Sequence, residues 1–284
     1  MTSSVYKTDE VRSIIEANYQ KLLSDHLEPR FEQIFISTQI GKIHILKFGS
    51  NSNPPLVMLH GSMSNSATWL GTASFFTNNF CIYCIDIPGE PGLSEPHRVS
   101  LNSQNSSAWL KEVLDKIGVK KCFIVSMSLG SWYAMKLSIE NPERVCALSM
   151  ITACGIAPQK ISFIFKAILY LMLGKFGQNM LNKAVYHNTQ VSPQALLFQS
   201  IVSKHFSPVT EIVPIFTDDQ LRKMTHPTQY FGGDHDALLN TQRTAERLNN
   251  LLADIEVNVL KDTGHVIIDQ FNKIESFLTS KLSQ

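Results

Sequence analysis

Several features are scarce in this chain of 284 residues, and each shortage argues against a class of protein. Cysteine occurs five times, an odd number at irregular spacing, which argues against a disulfide scaffold and favours a reducing compartment. An excess of positive or of negative charge is lacking as well. The formal net charge is +1, so nothing points to nucleic acid or an anionic membrane as a partner. The chain also lacks internal repeats and low-complexity segments.

Long hydrophobic runs are lacking as well. The N-terminal stretch of about twenty residues carries scattered charges and no apolar core, so we predict no secretory signal and expect a cytoplasmic protein. The most apolar run, 161–176, is interrupted by Lys166 and Gly174 and is too short for a membrane span. We predict that this run packs within the protein, with a lipid anchor as the alternative.

Cys81 and Cys84 match a C-x-x-C pattern, which elsewhere marks redox or metal sites. They lie in a strand-like run, where positions i and i+3 face opposite sides. We therefore interpret them as two thiols of the core.

Strand-like and helix-like segments alternate along most of the chain. Short apolar runs predict buried strands, and 3.6-residue periodicity predicts helices. This alternation indicates an α/β protein whose central sheet is mostly parallel and carries helices on both faces. Predicted strands cover 31–37, 42–48, 56–59, 80–85, 121–125, 147–151, 227–231 and 256–260; predicted helices cover 9–25, 103–117, 238–252, a segment opening at 131 and a last segment ending near 282.

The alternation stops between about Gly155 and Arg222, where the patterns are helical and no strand is convincing. We predict a helical insertion there that covers part of the molecule. The chain would then consist of a core in two parts, 1–154 and 223–284, interrupted by the insertion 155–222.

Ser128 lies at the apex of the most informative motif. A strand-like run is followed by Ser126-Met127-Ser128-Leu129-Gly130 and then by the opening of a helix. A serine on such a sharp turn is lifted out of the sheet into a site, and the turn requires small neighbours. The pentapeptide alone is a weak signal, because an ordinary strand-to-helix turn has a similar sequence.

Polar residues at three other strand exits strengthen the interpretation: His60-Gly61-Ser62, Asp236 and His265. Ligands bind at the carboxyl edge of such a sheet. The order serine, acid, histidine along the chain is that of the α/β-hydrolase arrangement.

The residue types suit nucleophilic catalysis. A serine hydroxyl needs a base to remove its proton, and histidine can accept that proton and return it. A carboxylate on the other ring nitrogen holds the imidazole in one tautomer. We therefore predict Ser128, Asp236 and His265 as catalytic residues, with Asp234 as the alternative acid.

The oxygen of the attacked carbonyl becomes an anion and needs hydrogen-bond donors already in place. We predict the backbone N–H of Leu129 as one donor and that of Ser62 as the other, with Met63 as the alternative to Ser62. Gly61 permits the close approach of this loop.

Two further histidines, His60 and His235, are interpreted as hydrogen-bonded loop residues rather than bases. The run Asp234-His235-Asp236 places two carboxylates beside a histidine, but three successive side chains cannot all point inward. We predict no metal and no organic cofactor.

Together these motifs resemble the α/β-hydrolase superfamily, specifically bacterial serine carboxylesterases of the kind that hydrolyse naproxen esters. The resemblance covers most of the chain from about Phe35 onward. It implies that the acid is Asp236, the last residue of G-x-x-D/E after the seventh strand, and that 155–222 is a helical cap. The segments that carry it are 35–38, 60–61, the Ser128 turn, 216–218, 233–236 and 264–265.

The chain departs from this family pattern in two places. Ser126 replaces the first glycine of the turn, and Ser131 replaces a common second one. The loop 86–94, Asp-Ile-Pro-Gly-Glu-Pro-Gly-Leu-Ser, looks like D-x-R-G-x-G-x-S with one extra residue and no arginine. Neither departure removes a catalytic group.

We predict an enzyme that hydrolyses a small lipophilic carboxylic ester through an acyl-enzyme. The same residues also support amide hydrolysis, acyl transfer and carbon–carbon bond cleavage, which remain alternatives. A ligand-binding protein on an inactive hydrolase fold is a further alternative, and its mark would be a broken triad. The sequence assigns no substrate-binding residue and no oligomeric state.

Overall fold

The computed structural model describes residues 5–6, 8–160, 163, 173–208 and 211–282. Its centre is an eight-stranded sheet in the order β1-β2-β4-β3-β5-β6-β7-β8. β2 pairs with β1 and β4 in the antiparallel direction, and every other neighbouring pair is parallel. The strands are β1 (Phe31–Thr38), β2 (Gly41–Phe48), β3 (Pro55–Leu59), β4 (Cys81–Ile85), β5 (Cys122–Met127), β6 (Val145–Ile151), β7 (Thr228–Gly233) and β8 (Ile255–Leu260).

The α-helices of the described residues connect and cover these strands. All eight predicted strands are present, and the predicted helix 9–25 has those bounds. The prediction 103–117 was too long, because the chain forms turns before 108. The helices are α1 (Asp9–Asp25), α2 (Ala108–Lys116), α3 (Leu129–Glu140), α4 (Gly174–Tyr186), α5 (Pro193–His205), α6 (Asp218–Leu221), α7 (Thr241–Leu251) and α8 (Phe271–Thr279).

Both faces of the sheet are buried, which explains why the strands have continuous apolar runs. In β3, Val57 and Leu59 belong to one apolar cluster together with α2 and α3. The alternate residues, Leu56 and Met58, belong to a second cluster together with α1 and α8. The predicted sheet with helices on both faces is therefore confirmed.

Two predictions about apolar segments have different outcomes. Cys81 and Cys84 are buried free thiols, as predicted. The run 161–176 lies largely outside the described residues, since 161–162 and 164–172 are not among them. Among the helices that the structure does describe, none combines the length and the hydrophobicity needed to cross a membrane.

The segment between β6 and β7 contains α4, α5 and α6, and its described residues form no strand beyond an isolated bridge between Phe206 and Tyr6. α5 packs on α1, where Val202 and Phe206 contact the cluster that contains Ile15. The segment therefore adds helices to the core and leaves the sheet uninterrupted.

Both ends of this segment are bound by one arginine of α7. Arg247 donates to the carbonyl oxygen of Ile156 at the start of the segment. It also donates to the carbonyl oxygen of Phe216 over 2.7 Å and to Oδ1 of Asp218 over 2.6 Å. The two ends are thereby joined at the surface of the core.

Candidate active site

Ser128 occupies a strained turn between β5 and α3. Its φ of 47° and ψ of −111° fall in a region that residues other than glycine rarely adopt. The turn is tight: a side chain at Gly130 would clash with the carbonyl oxygens of Leu59 and His60. Strain of this kind is held by the surrounding structure and is concentrated at functional sites.

The side chain of His265 lies between Ser128 and Asp236. Its Nε2 is 3.2 Å from Oγ of Ser128, and its Nδ1 is 2.8 Å from Oδ2 of Asp236. With the Nδ1 proton donated to the carboxylate, Nε2 is left to accept the serine proton. The structure thus brings together the three residues predicted as catalytic, although they are far apart in the chain.

The Asp236 carboxylate is held in place by its own loop. Its Oδ1 accepts the backbone N–H groups of Leu238 and Leu239 over 2.7 and 3.0 Å. Burial alone would raise its pKa, but His265 and these two donors outweigh burial and hold the pKa of Asp236 below its ordinary value. Nζ of Lys160 donates to the carbonyl oxygen of Asp236 over 2.6 Å. Asp236 is therefore buried and ionised beside the imidazole.

Asp234, the alternative acid, is directed elsewhere. Its Oδ1 lies 2.8 Å from Nδ1 of His235 and 3.2 Å from the backbone N of Thr263.

His60 is buried and bound at both ring nitrogens. Its Nδ1 is 2.8 Å from the carbonyl oxygen of Gly61, and its Nε2 accepts the Ile87 N–H over 2.9 Å. Burial lowers the pKa of His60, so it is a neutral loop residue rather than a base facing Ser128.

The loop after β3 passes close to Ser128. A side chain at Gly61 would approach the Ser128 Cβ to 3.4 Å. Among the described residues, no acceptor takes the backbone N–H of Ser62 or of Leu129. The N–H of Met63, the alternative donor, is already bound: it donates to Oε2 of Glu90 over 2.6 Å. The N–H groups of Ser62 and Leu129 are thus both without an acceptor in the described part of the chain, as a donor to a substrate oxygen must be.

Both departures from the family pattern are accommodated. Ser126 continues β5 and is fully buried, with Oγ 3.5 Å from the carbonyl oxygen of Ser149. In the loop 86–94, Asp86 accepts the N–H groups of Ser66 and Leu93 over 2.7 and 2.9 Å. It also lies 2.8 Å from Nδ1 of His44. This carboxylate fixes the loop without an arginine.

One described group of side chains has the composition of a metal site: His187, His235 and Asp262, with ligand atoms within 4.8 Å of one another. The two imidazoles are stacked, with centroids 4.6 Å apart and planes 15° apart. Lone pairs in nearly parallel planes do not converge on one ion. Nε2 of His187 lies 2.9 Å from Asp262, so these side chains are satisfied as hydrogen-bonded pairs.

The end of α4 contacts the loop that carries His265. The N–H of His265 donates to the carbonyl oxygen of Val185 over 3.0 Å. Oγ1 of Thr189 donates to the carbonyl oxygen of Val266 over 2.8 Å. The segment between β6 and β7 therefore lies directly against the candidate site.

Comparison with known proteins agrees with this geometry. A model of the alpha/beta hydrolase family matches residues 56–272. The chain belongs to this family. The carboxylesterases nap and YbfK of Bacillus subtilis are each 26% identical to it, over 245 residues (84% of this chain, 82% of nap) and 248 residues (83% of this chain, 82% of YbfK). The crystal structure of naproxen esterase from Bacillus subtilis matches with a TM-score of 0.81 and 23% identity, covering 93% of this chain and 95% of that one.

These matches confirm two predictions. The fold is that of an α/β-hydrolase, and the resemblance to bacterial carboxylesterases extends over most of the chain. Glu90 and Lys160, which contact the loops of Ser62 and Asp236, were not among the predicted site residues. No local sequence pattern marks the contacts of either residue.

Proposed function

We propose that this α/β-hydrolase is a serine carboxylesterase that cleaves small lipophilic esters. The single observation that carries the proposal is the pair of contacts that join Ser128, His265 and Asp236. The alternative of a ligand-binding protein predicts a broken triad, whereas all three side chains are present and in contact. The similarity to two carboxylesterases of Bacillus subtilis supports ester hydrolysis over the other reactions of this fold.

In the proposed reaction, Nε2 of His265 removes the proton of Ser128 while Oγ attacks the ester carbonyl carbon. The backbone N–H groups of Ser62 and Leu129 donate to the oxyanion that forms. The imidazolium returns the proton to the leaving alcohol, which gives an acyl-serine. Water, activated by the same imidazole, then releases the acid. The Asp236 carboxylate stabilises the imidazolium in both steps.

We further propose that 155–222 acts as a cap over the substrate. The contacts of Val185 and Thr189 with the His265 loop support this role. A segment that leaves the sheet at its carboxyl edge and returns there is well placed to cover the nucleophile. We propose no metal or organic cofactor, since the three side chains and the backbone donors supply each group that the reaction requires.

Two measurements test this proposal. Hydrolysis of a panel of p-nitrophenyl esters should show turnover, and a fluorophosphonate probe should label the protein at Ser128. The Ser128→Ala variant is the control for both. A folded wild-type protein that neither hydrolyses any ester of the panel nor reacts with the probe would contradict the proposal.

A further inference from the structure

Glu90 is a fully buried carboxyl that the proposed reaction does not use. It follows β4 in the loop 86–94 and is 2% exposed. Its Oε2 accepts the backbone N–H of Met63 over 2.6 Å and lies 3.4 Å from Oγ of Ser62. Glu90 is thus bound to two successive residues of the loop that follows β3, including one proposed donor to the oxyanion.

Arg98 does not neutralise this carboxyl by a direct hydrogen bond. Nε of Arg98 is 3.8 Å from Oε1 of Glu90 and has no hydrogen-bond partner among the residues that the structure describes. The other guanidinium nitrogens donate to the carbonyl oxygens of Pro208 and Ser207 over 3.2 and 2.5 Å. The short hydrogen bond of Glu90 is therefore the one from the Met63 N–H.

The electrostatic surroundings of Glu90 are sparse. Within the described part of the chain, Arg98, Tyr6 of the N-terminal segment and Tyr133 of α3 interact electrostatically with it. Burial raises the pKa of Glu90, Arg98 and the Met63 N–H offset this only in part, and the resulting pKa is about 7. The carboxyl therefore changes its charge close to neutral pH.

Met63 adopts a conformation that needs support. Its φ is 57°, in the left-handed region, which is unfavourable for a residue other than glycine. Such a conformation persists when the surrounding contacts determine it. The Glu90 carboxylate accepts the backbone N–H of Met63, which belongs to the peptide group that joins Ser62 and Met63. The same carboxylate also contacts the Ser62 hydroxyl. Both the backbone and the side chain of Ser62 are thereby restrained from one side.

We propose that Glu90 is a positioning residue for the oxyanion hole, whose carboxylate holds the loop 62–63 so that the Ser62 N–H faces the substrate oxygen. This inference rests on the proposed esterase function. A backbone donor stabilises an oxyanion only where its direction is set in advance. Residues 62–63 follow a glycine, and the left-handed backbone of Met63 is a conformation that a contact such as that of Glu90 must hold.

The proton on Glu90 then affects catalysis. A carboxylate accepts an N–H more strongly than a neutral carboxyl does, so the ionised form holds Met63 more firmly. Activity should therefore be highest when the Glu90 carboxyl is ionised. As pH falls below about 7, protonation of Glu90 should weaken this restraint and lower activity.

The test compares Glu90→Gln and Glu90→Ala with wild type, using kcat, KM and the rate of fluorophosphonate labelling. Glutamine keeps an acceptor for the Met63 N–H, so Glu90→Gln should retain kcat within about fivefold at pH 8. Alanine removes the acceptor, so Glu90→Ala should lower kcat and the labelling rate about 10–100-fold, with KM within about threefold. Unfolding temperatures check that each variant is folded.

The pH profile separates positioning from a general structural role. In wild type, log(kcat/KM) should show an additional step of up to about fivefold as Glu90 is protonated near pH 7, and Glu90→Gln should lack this step. Glu95→Gln is the matched control, because Glu95 lies in the same region and pairs with His97 over 2.6 Å instead. Its profile should equal that of wild type.

Two results would overturn the inference. One is a folded Glu90→Ala protein that labels and turns over at the wild-type rate. The other is a Glu90→Gln profile identical to that of wild type. Both differ from a failure of the esterase proposal, in which wild type itself would neither label nor hydrolyse the esters.

Discussion

Oδ2 of Asp236 lies 2.8 Å from Nδ1 of His265, whereas Asp234 binds His235. This relationship predicts different effects for two similar substitutions. Asp236→Asn should lower kcat by about 10³–10⁴-fold, because the amide cannot hold the imidazole in the productive tautomer. Asp234→Asn, the matched control, should cost far less. Steady-state kinetics on one activated ester checks both, and the reverse ranking would assign the acid to Asp234.

The strained turn at Ser128 leads to a second prediction. Ser128→Ala should remain folded and lose esterase activity by several orders of magnitude, because the members of a triad act as a unit. Alanine should also abolish labelling by a fluorophosphonate. Circular dichroism and the unfolding temperature provide the control for folding. Turnover at the wild-type level in a folded variant would show that another residue is the nucleophile.

A third prediction concerns the acyl group. The apolar run 161–176 ends in the first turn of α4, and most of it lies outside the described residues. We expect some of its side chains to line the acyl pocket. Each additional buried CH₂ contributes up to about 0.8 kcal/mol, which is several-fold in kcat/KM where the contact persists in the transition state. We therefore expect kcat/KM to rise from acetyl to medium-chain or aryl-alkanoyl esters. Charged acyl groups should be poor substrates.

The panel of p-nitrophenyl esters checks this expectation directly. A small polar pocket would instead make acetyl esters the best substrates, with kcat/KM falling steadily as the chain lengthens. All esters of the panel share one leaving group, so the chemical step stays comparable. The trend of kcat/KM with acyl length therefore reports how well the acyl group fits its pocket.

The buried pair of Asp86 and His44 leads to a fourth prediction, on stability. Burial alone would raise the pKa of Asp86, but His44 and the N–H of Leu93 lower it from 3.8 to about 2. The lowered pKa means that Asp86 stabilises the fold above about pH 4 and that this stabilisation is lost as pH falls through about 2. Asp86→Asn should reduce the free energy of unfolding at pH 7 by about 3 kcal/mol or more.

Denaturant unfolding at several pH values measures this effect. The wild type should lose stability between about pH 4 and pH 2, and the variant should lose less over that range, since it lacks the carboxylate. If the free energy of unfolding fell by the same amount between pH 4 and pH 2 in both proteins, other carboxylates would dominate the acid transition.

The central strands were predictable because they are buried on both faces. A run such as Leu56 to Leu59 has only apolar residues, bounded by prolines and a histidine, and few other structures suit it. Helix ends were less predictable. The polar segment before Ala108 has helical spacing but forms turns, since the hydroxyls of Ser100 and Ser103 accept the backbone N–H groups two residues later and compete with the helix.

In the site, the positions of Ser128, Asp236 and His265 followed from the strand exits, because parallel strands bring their carboxyl ends to one edge. The role of Glu90 did not follow. Its contact with Met63 joins two loops that are 27 residues apart, and the pairing depends on the path of each loop rather than on any local pattern. The burial of the Glu90 carboxyl is likewise a property of the folded chain and not of the local sequence.

The binding of both ends of the insertion by Arg247 has an evolutionary consequence. A single guanidinium fixes the points where the chain leaves the core and where it returns. Changes of length or sequence between these joints should therefore transmit little distortion to the strands of the core. We expect tolerance to substitution within the insertion to be greatest away from Val185 and Thr189, which contact the His265 loop directly.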